Sequence, residues 1–196
     1  MLDIPCVIFA GGKSSRMGKD KSLLPFGGFT TLTEFQYSRL TKIFRNVYIS
    51  CKESSKFTFE ANFIEDAKDT TIFAPTTGFI AAFECLNEDK FFTISVDSPF
   101  VDKDIIQILI DADKSSSDAT IAKTQEGIQP LCGIYHRSLY KEFLNMQKEN
   151  RHKLGLLLKN AHTNYSYFTD TDPFLNLNHP NDYQQALALH QSSLQA

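Results

Sequence analysis

The sequence predicts an α/β fold of three layers, with a mostly parallel central sheet and helices on both faces. Two observations predict it. Apolar runs alternate with stretches of helical period along the 196-residue chain, the pattern that buries a parallel sheet between helical layers. Several runs end in glycines or acids, with Gly11-Gly12 after the first, Asp66 after the third and Asp97 after the fourth. Ligands bind beyond the carboxyl ends of the strands in such sheets.

The elements follow in order. Residues 4 to 10 read as the first strand. Residues 31 to 44 read as a helix with Tyr37, Leu40 and Phe44 aligned. Asn46 to Cys51 and Asn62 to Glu65 are the second and third strands. Ala74-Pro75-Thr76-Thr77-Gly78 opens a helix, with a threonine as cap and Phe79, Ile80, Ala82 and Phe83 toward the sheet. Phe91 to Val96 is a central strand ending in Asp97-Ser98-Pro99. Asp102 caps a helix with Ile105, Ile108, Leu109 and Ala112 on one face. Ala119 to Lys123 is a strand, Gln125-Glu126-Gly127 a turn, and Leu131 to His136 a return strand with an antiparallel direction as one option. Ser138 to Met146 and Leu154 to Leu158 are helical. Tyr165 to Phe168 and Phe174 to Leu177 read as short strands, and Pro180 starts a final helix. Residues 1 to 190 are expected to form a single domain, with 191 to 196 a frayed tail.

Composition narrows the function classes. Apolar residues make up 42% and charged residues 22%, values of a soluble globular chain. The net charge of −3 argues against bulk attraction to nucleic acid. No apolar stretch is long enough to span a membrane, and Met1-Leu2-Asp3 lacks a basic leader. Cys6, Cys51, Cys85 and Cys132 form no C-x-x-C pair. Free cysteines fit a reducing, cytoplasmic setting.

The first loop, Phe9 to Lys21, carries the chemistry. It holds Gly11, Gly12 and Gly18, the serines Ser14 and Ser15, and Lys13, Arg16, Lys19 and Lys21 against one acid, Asp20. Glycines let backbone amides approach a ligand, successive amides form an anion-binding nest, and the cations supply counter-charge. The loop reads as a polyphosphate cradle. It is not a Walker A loop, because Val7 stands where the first glycine belongs. The spacing of Gly11, Gly12 and Gly18 is not the dinucleotide fingerprint either.

The loop resembles the L-A-G-G-x-S-x-R-M-G-x-D-K signature of the MobA family, the molybdenum cofactor guanylyltransferases, with Phe9 in place of leucine. It is unlike the G-x-G-[ST]-R-x-x-P loop of sugar-nucleotide pyrophosphorylases. Gly12 favours the guanylyl branch over cytidylyl relatives, which usually carry A-A-G. The resemblance implies a Rossmann-like nucleotidyltransferase fold, with the N-terminal half binding GTP and the C-terminal half binding molybdopterin. It implies contact of Phe9, Ala10, Gly11, Gly12, Ser14 and Lys21 with the nucleotide. Arg16, Lys21 and Asp97 take the catalytic roles.

Further matches extend the set. Asp97, in D-[ST]-P, is the Mg²⁺ ligand of the resembled family, and one carboxylate completed by phosphates and water suits magnesium. Asp66 matches a nucleotide-side aspartate. Ala74 to Gly78 resembles G-P-x-x-G, which lies at the base and sugar, with Ala74 replacing its first glycine. Lys52 stands where relatives often carry asparagine, and contact with phosphate, ribose or solvent are all open to it. Gln129-Pro130 resembles [HQ]-P, and Asn176-Leu177-Asn178-His179-Pro180 matches N-x-N-x-P. These line the acceptor side, where paired amides suit a polar heterocycle. Arg151-His152-Lys153 is a basic cluster suited either to an acceptor phosphate or to solvent. Lys21 and Asn178 are expected to serve different halves of the cleft.

The reaction so implied is GTP plus Mo-molybdopterin giving molybdopterin guanine dinucleotide and pyrophosphate, with a monomer expected. Two alternatives stay open from the residues alone. One is a related nucleotidyltransferase with another nucleotide or acceptor. The other is a GTP-binding regulatory protein without catalysis.

Overall fold

The computed structural model of the protein describes residues 1–12, 18–66 and 74–193. Among these residues seven strands form one sheet in the order β3-β2-β1-β4-β6-β5-β7. They are β1 (Cys6–Phe9), β2 (Val47–Cys51), β3 (Asn62–Glu65), β4 (Lys90–Ser95), β5 (Ala119–Thr124), β6 (Gly127–His136) and β7 (Thr163–Tyr167). β6 is antiparallel to both β4 and β5, while every other pairing is parallel. That single reversal lets the start of β6 reach the carboxyl ends of its neighbours.

Among the described residues, six helices cover the sheet: α1 (Leu32–Leu40), α2 (Pro75–Cys85), α3 (Lys103–Ala112), α4 (Tyr140–Lys148), α5 (Leu154–Asn160) and α6 (Pro180–Ser193). The alternation along β1 assigns the layers. Cys6, Ile8 and Ala10 pack with Leu32 and Leu40 of α1, Ile106 of α3 and Ala186 of α6. Val7 and Phe9 pack with Phe79 of α2, Phe143 of α4 and Leu157 of α5. A period of two in the strands and 3.6 in the helices thus builds the three layers. Phe79 lies at the centre of the second layer, stacked on Phe143 at 4.5 Å and 4.4 Å from Tyr135. Full burial of such a ring contributes about 1.5–3 kcal/mol.

Four details differ from the sequence reading. α3 turns Ile106, not Ile108, inward, and Ile108 is 50% exposed. Its buried stripe runs through Ile105, Ile106 and Leu109, which leaves Ile108 on the rim. The run Phe174 to Leu177 is no strand. Asp172–Phe174 is a 3-10 turn, and its buried positions, Phe174 and Leu177, are three apart rather than two. Pro173 favours that turn over a ladder that needs its missing N–H. β6 begins at Gly127 and is antiparallel throughout its pairings. α6 continues through Gln191 to Ser193.

No described helix is long and apolar enough to cross a membrane. All four cysteines are free, and only Cys85 is exposed.

The amino-terminal edge of the sheet carries a buried ionic node. Asp113, 1% exposed at its side chain, accepts from Lys90 at 2.6 Å, Thr120 at 2.7 Å and His136 Nε2 at 3.0 Å. Burial raises its pKa, but the Lys90, Thr120 and His136 hydrogen bonds and the His136 charge outweigh that and hold it below the usual carboxylate range. A carboxyl depressed in this way stabilises the fold above its unfolded pKa, and that contribution disappears as pH falls through the folded one. Asp113→Asn is therefore expected to lose about 2 kcal/mol at pH 7, and the gap to wild type to close as pH drops below about 3.9. Urea unfolding of both proteins across this range measures it, and a pH-independent gap would refute the ionic assignment.

Candidate active site

Three adjoining cavities follow the carboxyl edge of the sheet. The first, about 230 Å³, lies over the ends of β1 and β4 and is lined by Gly11, Gly12, Asp20, Lys21, Asp97 and Asn178. The second, about 110 Å³, shares Gly11 and Gly12 with it and adds Phe9, Lys52, Asp66 and Gly78. The third, about 290 Å³, shares Asp97 and Asn178 with the first and adds Gln129, Pro130 and Asn176.

The first cavity has the composition of a phosphate site. β1 ends when Ala10 N–H donates to Ser50 C=O at 2.9 Å. The chain then turns through Gly12 at φ 136°, a conformation side chains rarely adopt. Lys21, in a 3-10 turn (Lys21–Leu23) capped by Asp20, donates to Asp97 Oδ2 at 2.7 Å and to Asn178 Oδ1 at 2.9 Å. The Lys21 and Asp97 side chains are 14% and 16% exposed, so this ion pair is screened far less than a surface pair. Ser95 Oγ donates to Asp97 Oδ1. Lys21 and Asn178, expected to serve different halves, meet where two cavities join.

Gln36 of α1 clamps the Asp97 turn. It is fully buried, and its amide nitrogen lies 3.2, 3.3 and 3.0 Å from the carbonyls of Ser95, Val96 and Ser98. Arg39 Nε donates to Gln36 Oε1 at 2.8 Å, and Arg39 Nη1 donates to Val101 C=O at 2.6 Å. The sequence reading missed Gln36. Its signal was present, since Gln36 lies four residues from both Leu32 and Leu40 on the buried stripe. A polar residue there needs buried partners.

The second cavity is smaller and mostly apolar. Phe9 packs on Phe79 at 4.7 Å and forms part of its wall. A Cβ on Gly78 would lie 2.6 Å from Ser50 Oγ and 2.9 Å from Phe9 Cε1, so only glycine lets α2 approach here. Ala74 is extended at φ −138°, a conformation alanine adopts without strain, and it caps α2 with no side-chain bond. No threonine caps that helix; Thr77 Oγ1 instead lies 2.9 Å from both Ala74 C=O and Asp66 Oδ2, its single proton shared between the two acceptors. Asp66 Oδ1 is buried without a partner among the described residues. Burial pushes its carboxyl up, the Thr77 bond and Lys52 charge pull it down, and burial prevails. Among the cavities of the described residues, Asp66 lines the second and Asp97 the first and third.

The third cavity is built by a strand irregularity. The β5–β6 register shifts between Ile121 and Ala122. Pro130, which has no N–H for a ladder, falls in that break. The break carries Gln129 and Pro130 to the cleft, where Asn176 Nδ2 donates to Gln129 Oε1 at 3.4 Å. Asn176 Oδ1 accepts from Ser98 Oγ at 2.6 Å. The segment is tied down where Leu177 N–H donates to Asp97 C=O at 3.0 Å.

Of the sequence-selected residues, Phe9, Ala10, Gly11, Gly12, Lys21, Lys52, Asp66, Gly78, Asp97, Gln129, Pro130, Asn176 and Asn178 line this cleft. Ser14 and Arg16 lie outside the described residues. Arg151, His152 and Lys153 line a different cavity of about 330 Å³ beside α4 and α5. No cluster of three metal-ligating side chains occurs among the described residues. Asp97 alone still suits a hard divalent cation. The described donors take two of its roughly four lone-pair positions, and magnesium is commonly held by one carboxylate with phosphates and water.

A mostly parallel sheet with one reversed strand, a glycine turn after β1 and a lysine–aspartate pair beside it place the chain in the α/β class, and its family is one of nucleotidyltransferases. The family described as MobA-like NTP transferase domain matches residues 6–163. The chain belongs to that family. A molybdenum cofactor guanylyltransferase of Campylobacter jejuni is 37% identical over 183 residues, 93% of this chain and 95% of that one. One of Helicobacter pylori is 33% identical over 192 residues, 95% and 90% of the two chains. The crystal structure of molybdopterin-guanine dinucleotide biosynthesis protein A from Archaeoglobus fulgidus superposes with a TM-score of 0.82 at 20% identity, covering 96% of this chain and all of that one.

Proposed function

We propose that the protein transfers GMP from GTP to the terminal phosphate of Mo-molybdopterin, releasing pyrophosphate and forming molybdopterin guanine dinucleotide. The observation that carries this reading is the Lys21–Asp97 pair at the junction of the phosphate and acceptor cavities. The relatives named molybdenum cofactor guanylyltransferase align over more than nine-tenths of the chain and support the same substrates.

In this reading the acceptor phosphate attacks the α-phosphorus, its new P–O bond replacing the bond to the leaving pyrophosphate. A phosphate monoester has a second pKa of about 6 and is largely dianionic near neutral pH. It needs no general base. This agrees with the first cavity, where both described acids, Asp20 and Asp97, are ion-paired to lysines. The protein aligns two anions and neutralises their charge. Gly11 and Gly12 offer backbone to the phosphates. Lys21 and, from the signature loop, Arg16 balance the α-phosphoryl and pyrophosphate charge, and Ser14 belongs to the same cradle. Mg²⁺ held by Asp97 would add Lewis-acid stabilisation of phosphate oxygens. Asp66 offers Oδ1 to a donor on the base or ribose, beside Lys52 and Gly78. Gln129, Pro130, Asn176 and Asn178 receive the acceptor.

We read residues 1–190 as one domain, because one sheet carries all three cavities. Four free cysteines support a cytoplasmic setting, and we propose action as a monomer. The direct test is incubation with GTP, Mg²⁺ and molybdopterin, with mass analysis for the dinucleotide. In competition binding against labelled GTP, CTP and ATP are expected to displace it at least tenfold less well, as sites built from paired polar contacts discriminate. Equal displacement by CTP would transfer the protein to the cytidylyl relatives.

A further inference from the structure

Asp20 is the one acid of the signature loop, and it faces the cavity proposed above for polyphosphate. It cannot swing away freely. Its Oδ1 accepts from Ser22 N–H at 3.0 Å and Ser22 Oγ at 2.7 Å, so the carboxylate is fixed where an incoming phosphate would meet like charge. Its other oxygen, Oδ2, accepts from Lys56 Nζ at 2.8 Å.

Lys56 comes from elsewhere in the chain, in a 3-10 turn (Ser54–Lys56) after β2. Its ammonium has three protons, and three acceptors surround it. They are Asp20 Oδ2, Ser22 Oγ at 2.9 Å and Ala10 C=O at 3.5 Å. The Phe57 ring, 4.9 Å from Nζ, supports it from another side. Lys56 thus joins the end of β1, the return of the signature loop and the β2–β3 connection. Its side chain is 24% exposed, so its charge acts in a partly desolvated setting. Both acids on the phosphate wall are matched in this way, Asp97 by Lys21 and Asp20 by Lys56.

We propose that Lys56 is a positioning residue for the nucleotide's phosphates: it cancels the charge of Asp20 and thereby keeps the cradle receptive to polyanions. The inference rests on the phosphate-site reading and deepens it. Charge cancellation and simple mechanical pinning make opposite forecasts. Removing Lys56 hurts in both cases. Removing the Asp20 charge as well restores binding only if charge is the reason.

Isothermal titration with inorganic tripolyphosphate, which has no base, tests this in wild type, Lys56→Met, Lys56→Arg, Asp20→Asn and the Lys56→Met/Asp20→Asn double variant. Lys56→Met is expected to weaken binding about tenfold, with Lys56→Arg and the double variant within about threefold of wild type. Asp20→Asn alone, which keeps an oxygen for the Ser22 bonds, is expected to bind at least as tightly as wild type. A double variant as weak as Lys56→Met would overturn the inference, as would Lys56→Met binding like wild type. If Lys56→Met fails to fold, Asp20→Asn decides: a loss of tripolyphosphate affinity there refutes charge cancellation, and unchanged or tighter binding supports it. The guanylyl reading fails separately, by nucleotide preference. Wild type binding CTP in place of GTP would end that reading with the Lys56 pattern intact.

Discussion

Asp97→Asn is expected to lower turnover by about two orders of magnitude or more, the scale on which electrostatic groups act at phosphoryl-transfer centres. The fold should persist. Asparagine retains an oxygen for the Ser95 hydroxyl, and the Gln36 amide, which holds the turn through the Ser95, Val96 and Ser98 carbonyls, never touches the Asp97 side chain. What is lost is the negative charge opposite Lys21, 2.7 Å away, and with it the carboxylate proposed for Mg²⁺. The deficit should therefore remain at saturating Mg²⁺, and the metal concentration for half-maximal rate should rise. A thermal melt within a few degrees of wild type establishes that chemistry was removed and not structure. Near wild-type turnover at saturating Mg²⁺ would remove Asp97 from the centre of the reaction.

The sequence foreshadowed the parallel half of this fold closely, because β1, fully buried, and β4, buried between its two end residues, read as apolar runs of the right length. The first three strands and the layers on either side follow from the alternation of Cys6, Ile8 and Ala10 against Val7 and Phe9. Legibility fell where tertiary pairing decides. The direction of β6 depends on its neighbours in the sheet, and Pro130 fits only because the register breaks beside it. Phe174 and Leu177 are buried by a turn whose spacing imitates a strand too short to judge. For the site, motif residues on the first loop and at strand ends were visible, since chemistry concentrates there. Gln36 and Lys56 were not singled out. Each acts on the cleft from a distant segment, Gln36 through backbone carbonyls and Lys56 through another residue's carboxylate. No local spacing records a contact between Lys56 and Asp20, 36 residues apart.

Lys21→Ala is the second large effect expected, and the geometry makes it more than the loss of one cation. Lys21 Nζ bridges Asp97 and Asn178, so its removal leaves a carboxylate and an amide oxygen facing the phosphate cavity without that donor. An incoming triphosphate then meets like charge where it had met a counter-charge. GTP affinity should fall by about tenfold and turnover by about a hundredfold or more. The affinity loss should be larger in EDTA than in Mg²⁺, because a cation on Asp97 masks the same exposed charge. Asn178→Asp follows from the same contact. It places a second carboxylate 2.9 Å from the lysine, which ties Lys21 more firmly to the protein and sets a new negative charge at the mouth of both cavities. Its GTP affinity should therefore drop together with its affinity for molybdopterin, as the shared position of Asn178 requires. Titration of each variant with GTP, with and without Mg²⁺, and then with molybdopterin measures these effects. If Asn178→Asp binds GTP like wild type and loses only the acceptor, the Lys21–Asn178 contact does not couple the two halves. If Lys21→Ala turns over at a near wild-type rate, the lysine is not where the α-phosphoryl charge develops.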